Sequence, residues 1–538
     1  MLVALLLVAT FVYLRRTTAG LGFPYDVDLY RDIGQAESVR DGDVFGDAAY
    51  RDELAWYNPL LSWLLAAASQ LTGVSVATIA TQGGVLLNLL GPVALVIVVR
   101  RWFGRMAAGF ALVAYIFLLC GKYPSWAVAT YSPWLFQANF GQGLFFIALL
   151  ALPAAIDSDR ASRAAVFGAL MGVVALAHTA PALLLLVVLV AAAGWTGWRR
   201  RRPIAAVGRG VLISVLTAAV VAAPFLVPIA WKYHFQLRNE LPSSWIWDEL
   251  QVSRLRNFVG DFVLRWPIGL GAVGVICWWL RFRPQQRNLP VVILTAWTTT
   301  AFLGLAAGIY ASTSLPLASR IPTVVPSYHF LLYLSAALCV WFGIGAAALA
   351  RLVAELADVR PHAPVVAATG CVVMMAIALP TWRARDDLRA TRDHALAVRA
   401  LVDDFAVSRW ISTATSQDDV VLYDIDPSLA LVVNPLDRRP TVVVDPFFSN
   451  PYVAWQPRQD DSTAMLTALR DCDHFAFDAI AGRVGVTYVV TSAAGPLVES
   501  ISSCPFVHMA YRDSFAAVLH VAPASPEDAP SRTGDRPG

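Results

Sequence analysis

Two aspartates one residue apart, Asp26 and Asp28, follow the first apolar run of this 538-residue chain, in the stretch Phe23-Pro24-Tyr25-Asp26-Val27-Asp28-Leu29-Tyr30-Arg31-Asp32. Nine acidic residues lie from Asp26 to Glu53, and the run closes on Trp56-Tyr57-Asn58-Pro59-Leu60 before the chain turns apolar again. Ionised groups are costly close to lipid, so carboxylates this dense beside a hydrophobic segment call for a reason. Held at a membrane face, they could bind a divalent cation or draw the proton from a hydroxyl. The competing reading is a solvated loop whose charge keeps it out of the bilayer. For Asp28 and Asp32 it is an ion pair with Arg31.

Other residues able to do chemistry are scattered more thinly. His178 ends an apolar run at His178-Thr179-Ala180-Pro181, where an ionisable group is a functional candidate or a hydrogen-bonded structural histidine. Arg320 and His329 flank Ile321-Pro322-Thr323-Val324-Val325-Pro326-Ser327-Tyr328. A guanidinium fork there suits a phosphate, or it snorkels to lipid headgroups. Gln137, Asn139 and Gln142 open another apolar run, where they could bind a polar ligand or satisfy a helix end. Trp245 and Trp247, interleaved with Arg238, Arg254, Arg256 and Arg265, could stack on a ligand or anchor at the interface. No Cys/His spacing resembles a zinc site. Cysteines 120, 277, 339 and 371 lie in apolar runs, whereas Cys472 and Cys504 lie in polar sequence. That last pair could form a disulfide outside the cytoplasm, although spacing alone does not show that the two meet. Asp424, Asp445 and His474 form no recognisable triad and receive no role.

The elements that must position these groups are membrane helices. The chain is 57% apolar and only 15% charged, with a mean hydropathy of +0.57; soluble domains carry about 25% charged residues. A net charge of +3, spread as arginines between apolar runs, does not describe a nucleic-acid surface. Apolar segments predict about eleven spans, each needing about 20 residues: 1–16, 77–99, 106–121, 138–156, 163–178, 180–197, 205–231, 266–281, 288–310, 327–350 and 362–381. The first resembles a signal-peptide core but lacks a basic start and a small-residue cleavage site, so it reads as a membrane helix. Basic loops at 100–105, 157–163, 199–202, 281–287 and 351–360 fall on one side, which places the N-terminus in the cytoplasm and everything after 382 outside. The first outer loop is then 17–76. Its segment Pro59 to Leu71 is too short to cross and reads as an interfacial helix.

From about 382 to 525 the pattern changes to a helix near 396–414 and another near 463–470. Short buried-strand runs follow or intervene at Asp419–Tyr423, Thr441–Val444, Val486–Val490 and Ser514–Val521. Strands alternating with helices predict a small extracytoplasmic α/β domain. The Pro-, Ser- and Asp-rich tail 526–538 reads as disordered.

An outer loop that opens on Asp-x-Asp after one helix, followed by Trp56-Tyr57-Asn58-Pro59-Leu60 and an interfacial helix, resembles the polytopic GT-C glycosyltransferases. Oligosaccharyltransferase catalytic subunits, protein mannosyltransferases and mycobacterial arabinofuranosyltransferases share that plan. The resemblance implies a mainly α membrane bundle that uses polyprenyl-phosphate sugars. It implies that Asp26 or Asp28 is the catalytic base or a metal ligand, with Asp26 favoured for its place after Phe-Pro-Tyr. Arg320 and His329 would hold the donor phosphate, His329 standing where relatives often carry arginine. His178, Tyr57, Asn58, Gln137, Asn139, Trp245 and Trp247 become substrate-binding candidates. Some members carry a second acidic motif after the third span; here that loop reads Gly121-Lys122-Tyr123-Pro124-Ser125-Trp126 and has no carboxylate. A divalent cation (Mg, Mn or Ca) on Asp26 and Asp28 therefore stays open beside metal-free catalysis.

The expectation is a multi-pass plasma-membrane enzyme that moves a mannosyl, arabinofuranosyl or related sugar from a lipid donor to an envelope glycan, glycolipid or protein. The alternatives are a lipid-linked-sugar flippase or transporter, or a non-catalytic envelope-assembly protein. A transporter would carry ionisable groups at mid-membrane, where these spans are nearly bare.

Overall fold

The computed structural model describes residues 2–118, 123–157, 160–200, 203–262, 272–276, 279–280, 289–321, 325–358, 360–385, 388, 390–404, 406–424, 434–501 and 504–522. It is mainly helical with one small sheet. Helix α1 (Leu2–Thr18) leads to α2 (Val27–Arg40), α3 (Leu60–Thr72), α4 (Val76–Leu87), α5 (Leu90–Phe103) and α6 (Arg105–Val113). The bundle continues through α7 (Gln137–Asp157), α8 (Ala161–Ala177), α9 (Thr179–Arg200) and α10 (Ile204–Tyr233). A short amphipathic helix α11 (Val252–Phe262) precedes α12 (Leu289–Ala311), α13 (Ser327–Leu356) and α14 (Ala363–Arg383).

Among the described residues seven helices are long and apolar enough to cross a membrane, with α4 and α5 reading as one span; α3, α8 and α6 with its π-helical extension are apolar but shorter. The expected span at 266–281, with Cys120 and Cys277, lies wholly or largely outside the described residues. Helices α7 and α13 are the heart of the bundle, whereas only 22% of the α10 span and 11% of the α14 span are buried by protein. Those apolar surfaces need lipid around them. Helix α8 packs along α10 through Gly168 and Gly172, where a Cβ would run into the Ser214 and Ala218 backbone. Small residues four apart permit such close backbone approach.

The first half of the acidic stretch expected as a loop is helical. Asp26, with extended dihedrals (φ −120°, ψ 140°), caps α2 by accepting the Asp28 N–H at 3.0 Å. Tyr30, Ile33 and Ala36 repeat on one face, and that face is buried against α3 and α4, while Leu29 packs on Trp134 and Phe136. An N-cap followed by this periodicity was a readable helix start; the density of charge disguised it. Helix α3 forms where the interfacial helix was expected.

After α15 (Ala390–Asp404) and α16 (Ala406–Ala414) the chain builds β1 (Val420–Asp424), α17 (Trp455–Arg470), α18 (His474–Val484), β2 (Val486–Ser492), β3 (Val507–Arg512) and β4 (Ala516–Val521). The sheet order is β1-β2-β4-β3, with β1 parallel to β2 and the other pairs antiparallel. Two sequence expectations fail here. Thr441–Val444 is not a strand; it makes one bridge from Thr441 to Val421, and the Thr441 N–H is taken by Ala49 of the acidic loop. Strand β3 went unforeseen because His508, Met509 and Arg512 break the apolar pattern of an edge strand. The tail 526–538 lies outside the described residues.

Cys472 and Cys504 form a disulfide with their Cα atoms 5.5 Å apart, tying the end of α17 to the approach to β3. With 32 residues of separation, loop-closure entropy makes the bond worth about 3–4 kcal/mol. Replacing both cysteines by serine should lower the denaturant midpoint of this region accordingly. An unchanged midpoint, with wild type equally indifferent to reductant, would contradict that.

Candidate functional site

The site starts from α2. Positions 28, 31 and 32 share one helical face, so Asp28, Arg31 and Asp32 meet through local geometry alone. Arg31 Nη1 donates to Asp28 Oδ1 at 2.8 Å, while Nε and Nη2 donate to Asp32 Oδ1 at 3.1 and 2.9 Å. The guanidinium also lies 3.7 Å from the Tyr57 ring centroid and 5.7 Å from that of Trp56. Gln137 Nε2, from the start of α7, donates to Asp32 Oδ1 at 3.3 Å. The expected ion pair of Arg31 with the aspartates is therefore present, and it holds the cation in place rather than leaving it solvated.

These groups open into a cavity of about 560 Å³. Asp26, Asp28, Arg31, Trp56, Tyr57 and Asn58 line it from the acidic segment and its sequel. His178 and Thr179 reach it from the break between α8 and α9, and Tyr328 and His329 from the first turn of α13. Trp126, Trp245, Phe235 and Leu237 come from intervening loops, and Asp445, Phe447, Phe448 and Tyr452 from the segment before α17. Arg31 is the one arginine or lysine among the described lining residues, and the carboxylates of Asp26, Asp28 and Asp445 line the same cavity.

Burial sets the carboxyl chemistry. The Asp26 carboxyl is pushed up from 3.8 to about 7, first by burial and then by the Asp28 charge. Asp32 rises to about 6, because burial outweighs the help it receives from Arg31. Burial alone would depress the Arg31 guanidinium, yet Asp32 and Asp28 hold its pKa above the ordinary value. A carboxyl that titrates near neutral pH can accept a proton under working conditions.

His178 is 2% exposed and His329 5%, and their rings meet edge-on with centroids 4.4 Å apart. The His178 backbone is extended (φ −167°, ψ 135°), which breaks the apolar run where the sequence suggested. Its Nδ1 accepts the Ala180 N–H at 3.3 Å, so the neutral ring carries its proton on Nε2. His329 Nδ1 is buried without a hydrogen-bond partner. Gly141 makes room for this pair, since a Cβ there would lie 2.9 Å from the His178 Cβ.

Asp26, Asp28, His178, His329, Tyr57, Asn58 and Trp245 thus come together as the sequence suggested. Four candidates do not line the cavity. Arg320 is exposed in a short 3-10 turn, Ala318–Arg320. Trp247 packs instead on Tyr123 and Trp126, with ring centroids 5.5 and 5.4 Å away. Asn139 donates to Ser125 O at 2.9 Å as a buried structural amide. Gln137 lines a small neighbouring void behind Arg31 together with Asp32 and Asp47. Asn58, although on the wall, spends its amide on Ala175 O at 2.6 Å and accepts from Thr179 Oγ1 at 3.2 Å.

The i+3 spacing of Arg31 from Asp28 is legible in the sequence, yet Arg31 stood there only as an ion-pair partner. Sequence reasoning also missed Tyr328, Trp126 and the residues around Asp445; no local pattern pointed to those. Among the described residues no three His, Cys, Asp or Glu side chains gather as a metal cluster.

No family model matches the sequence, and no match to a curated protein is found. Solved structures do match. ArnT from Cupriavidus metallidurans bound to undecaprenyl phosphate superposes with a TM-score of 0.57 at 15% identity, over 96% of this chain and 97% of that one. The Archaeoglobus fulgidus oligosaccharyltransferase tethered to an acceptor peptide gives 0.54 at 11% identity, over 98% and 75%. A complex of that oligosaccharyltransferase holds an inhibitory peptide and a dolichol-phosphate. The mycobacterial arabinofuranosyltransferase AftD gives 0.52 at 13% identity over 97% of this chain, which spans only 40% of AftD. This chain has the fold that these GT-C glycosyltransferases share.

Proposed function

We propose that this chain is a membrane glycosyltransferase that takes a sugar from a polyprenyl-phosphate donor and passes it to a hydroxyl of an envelope glycan, glycolipid or protein. The observation that carries the reading is the placement of Asp26, Asp28 and the thrice-bonded Arg31 on one cavity wall, in a fold shared with glycosyltransferases. Two proteins of that fold hold a polyprenyl phosphate in their structures, which supports the donor class.

In this reading Arg31 takes the role first expected of Arg320. Three of its five N–H groups are committed to Asp28 and Asp32, and the rest point toward Tyr57 and the space a phosphate would take. His178 and His329 stand across the cavity and donate to the phosphate or to sugar hydroxyls. Asp26 or Asp28 accepts the acceptor proton as its oxygen bonds to the anomeric carbon. The bond from that carbon to the phosphate oxygen breaks, and polyprenyl phosphate leaves with the electron pair. The developing phosphate charge is met by a cation already held in position, so little reorganisation is needed.

A divalent cation fits this donor set poorly. Asp26 Oδ1 is occupied by the Asp28 N–H and Asp28 Oδ1 by Arg31, whereas Ca²⁺ takes six to eight oxygens. The reading routes no step through a metal. Transfer is expected to survive a chelator, and loss of activity restored only by added Mg²⁺, Mn²⁺ or Ca²⁺ would refute that part.

The C-terminal α/β part is read as extracytoplasmic. Its disulfide suits an oxidising compartment, and the basic loops between spans suit the cytoplasmic side. The reading is tested with purified protein in liposomes, offered radiolabelled polyprenyl-phosphate mannose and decaprenyl-phosphate arabinose with envelope oligosaccharides. Transfer by wild type that disappears in Asp26→Asn or Asp28→Asn supports it. Transfer unaltered in the double variant removes the proposed base.

A further inference from the structure

The cavity has a second wall that the transfer chemistry does not use, built by residues 445–452 as they approach α17. This segment is fastened to the rest of the protein on three sides. Pro446 O and Pro451 O accept from Asn239 Nδ2 at 2.8 Å and from the Arg238 and Asn239 backbones at 2.8 and 3.0 Å. Asn450 donates to Asp47 Oδ2 at 2.9 Å and Leu54 O at 3.0 Å, and Ser449 bonds the Tyr50 hydroxyl at 2.8 Å. The Tyr452 ring stacks on Tyr233 with centroids 5.1 Å apart and planes 9° from parallel. So many fixed contacts hold the wall at one distance from the α2 carboxylates.

Its one charged group in the cavity is Asp445. One carboxylate oxygen accepts the Phe447 N–H at 2.9 Å, which orients the group; the other takes no hydrogen bond among the described residues. Phe447 beside it is 42% exposed, with Phe235 and Leu237 also bared to the cavity. An oriented carboxylate beside an apolar ring matches a sugar, whose hydroxyls donate to carboxylates while its C–H face lies on aromatics. The carboxylate repels phosphate, so this wall does not serve the donor head. It also follows α14, the last apolar span among the described residues, and is built with the polar C-terminal part, not among the spans that would flank a prenyl tail.

Resting on the transferase reading, we infer that residues 445–452 form an acceptor subsite in which Asp445 and Phe447 bind a neutral, hydroxyl-rich glycan and set acceptor specificity. Asp445 is a positioning residue: it holds the acceptor so that its hydroxyl faces the α2 carboxylates.

The test compares the wild-type full chain with Asp445→Asn and Phe447→Ala in the liposome assay, using the donor that wild type accepts and a mannose or arabinose oligosaccharide. Loss of one charge-assisted hydrogen bond should raise the acceptor KM about tenfold, with the kcat change under about threefold and the donor KM unmoved. A shift in donor KM, or no shift in acceptor KM for either variant, overturns the subsite. Binding of the same oligosaccharide, followed by tryptophan fluorescence without donor, separates the two readings. Wild type that binds the glycan through Asp445 yet transfers nothing keeps the subsite and sinks the transferase. Wild type that transfers with a KM indifferent to both variants keeps the transferase and sinks the subsite.

Discussion

Replacing Arg31 by Met is expected to cut kcat/KM by about a hundred- to a thousandfold, the size of effect seen when a preorganised donor to developing charge is removed. It should also destabilise the protein. Asp32 is almost fully buried, with 5% of its side chain exposed, and loses its guanidinium partner in this variant. Stranding one member of a buried pair costs about 3–5 kcal/mol. The two consequences separate in a double variant. Arg31→Met with Asp32→Asn removes the stranded charge and should recover much of the thermal stability, with a coupling of about 0.5–3 kcal/mol, while transfer stays absent. Activity that recovers along with stability would show that Arg31 acts only as a structural clamp. Arg31→Lys is a sharper probe, because a single ammonium cannot serve Asp28, Asp32 and a phosphate together.

Asp26→Asn carries the second large effect. If Asp26 is the base, the variant should lose about a hundred- to ten-thousandfold in kcat while donor KM barely moves. Stability should hold or rise, since asparagine caps a helix as well as aspartate. The pH dependence follows from the same burial. The Asp26 carboxyl sits above its ordinary 3.8 at about 7, so it is protonated and idle in acid and becomes a proton acceptor as pH rises through about 7. The wild-type rate should climb over that window. The linked stability runs the other way. A raised folded-state pKa gives stabilisation that is fully present below about 3.8 and lost as pH rises through about 7. Asp26→Asn should remove that slope. If Asp28→Asn abolishes transfer while Asp26→Asn retains it, the base is Asp28 and Asp26 is the cap that aims it.

Much of the site could be read from the chain because its core is local. Asp26, Asp28, Arg31 and Asp32 lie within seven residues, so an N-cap and helical spacing bring them together before any tertiary contact forms. The break at His178 was equally legible, since an apolar run ending at His-Thr-Ala-Pro has few ways to continue as one helix. Apolar run lengths likewise located most of the helices, because a bilayer demands them whatever their neighbours.

Tertiary structure decided everything that depends on distant segments. Arg31, and not Arg320, lies at the carboxylates, while Arg320 sits in an exposed 3-10 turn. Gln137 and Asn139 look alike in sequence, yet one reaches Asp32 and the other is consumed by Ser125 O. Asp445 stands more than four hundred residues from Asp26 and shares its cavity only because residues 445–452 are pinned to Asn239, Tyr50 and Asp47. The sequence alone determined the membrane class, the helical bundle and the acidic helix start, since burial and spacing act over a few turns. Which charges face one another across the cavity was settled by packing, because Coulomb energy depends on distance in space and carries no record of distance along the chain.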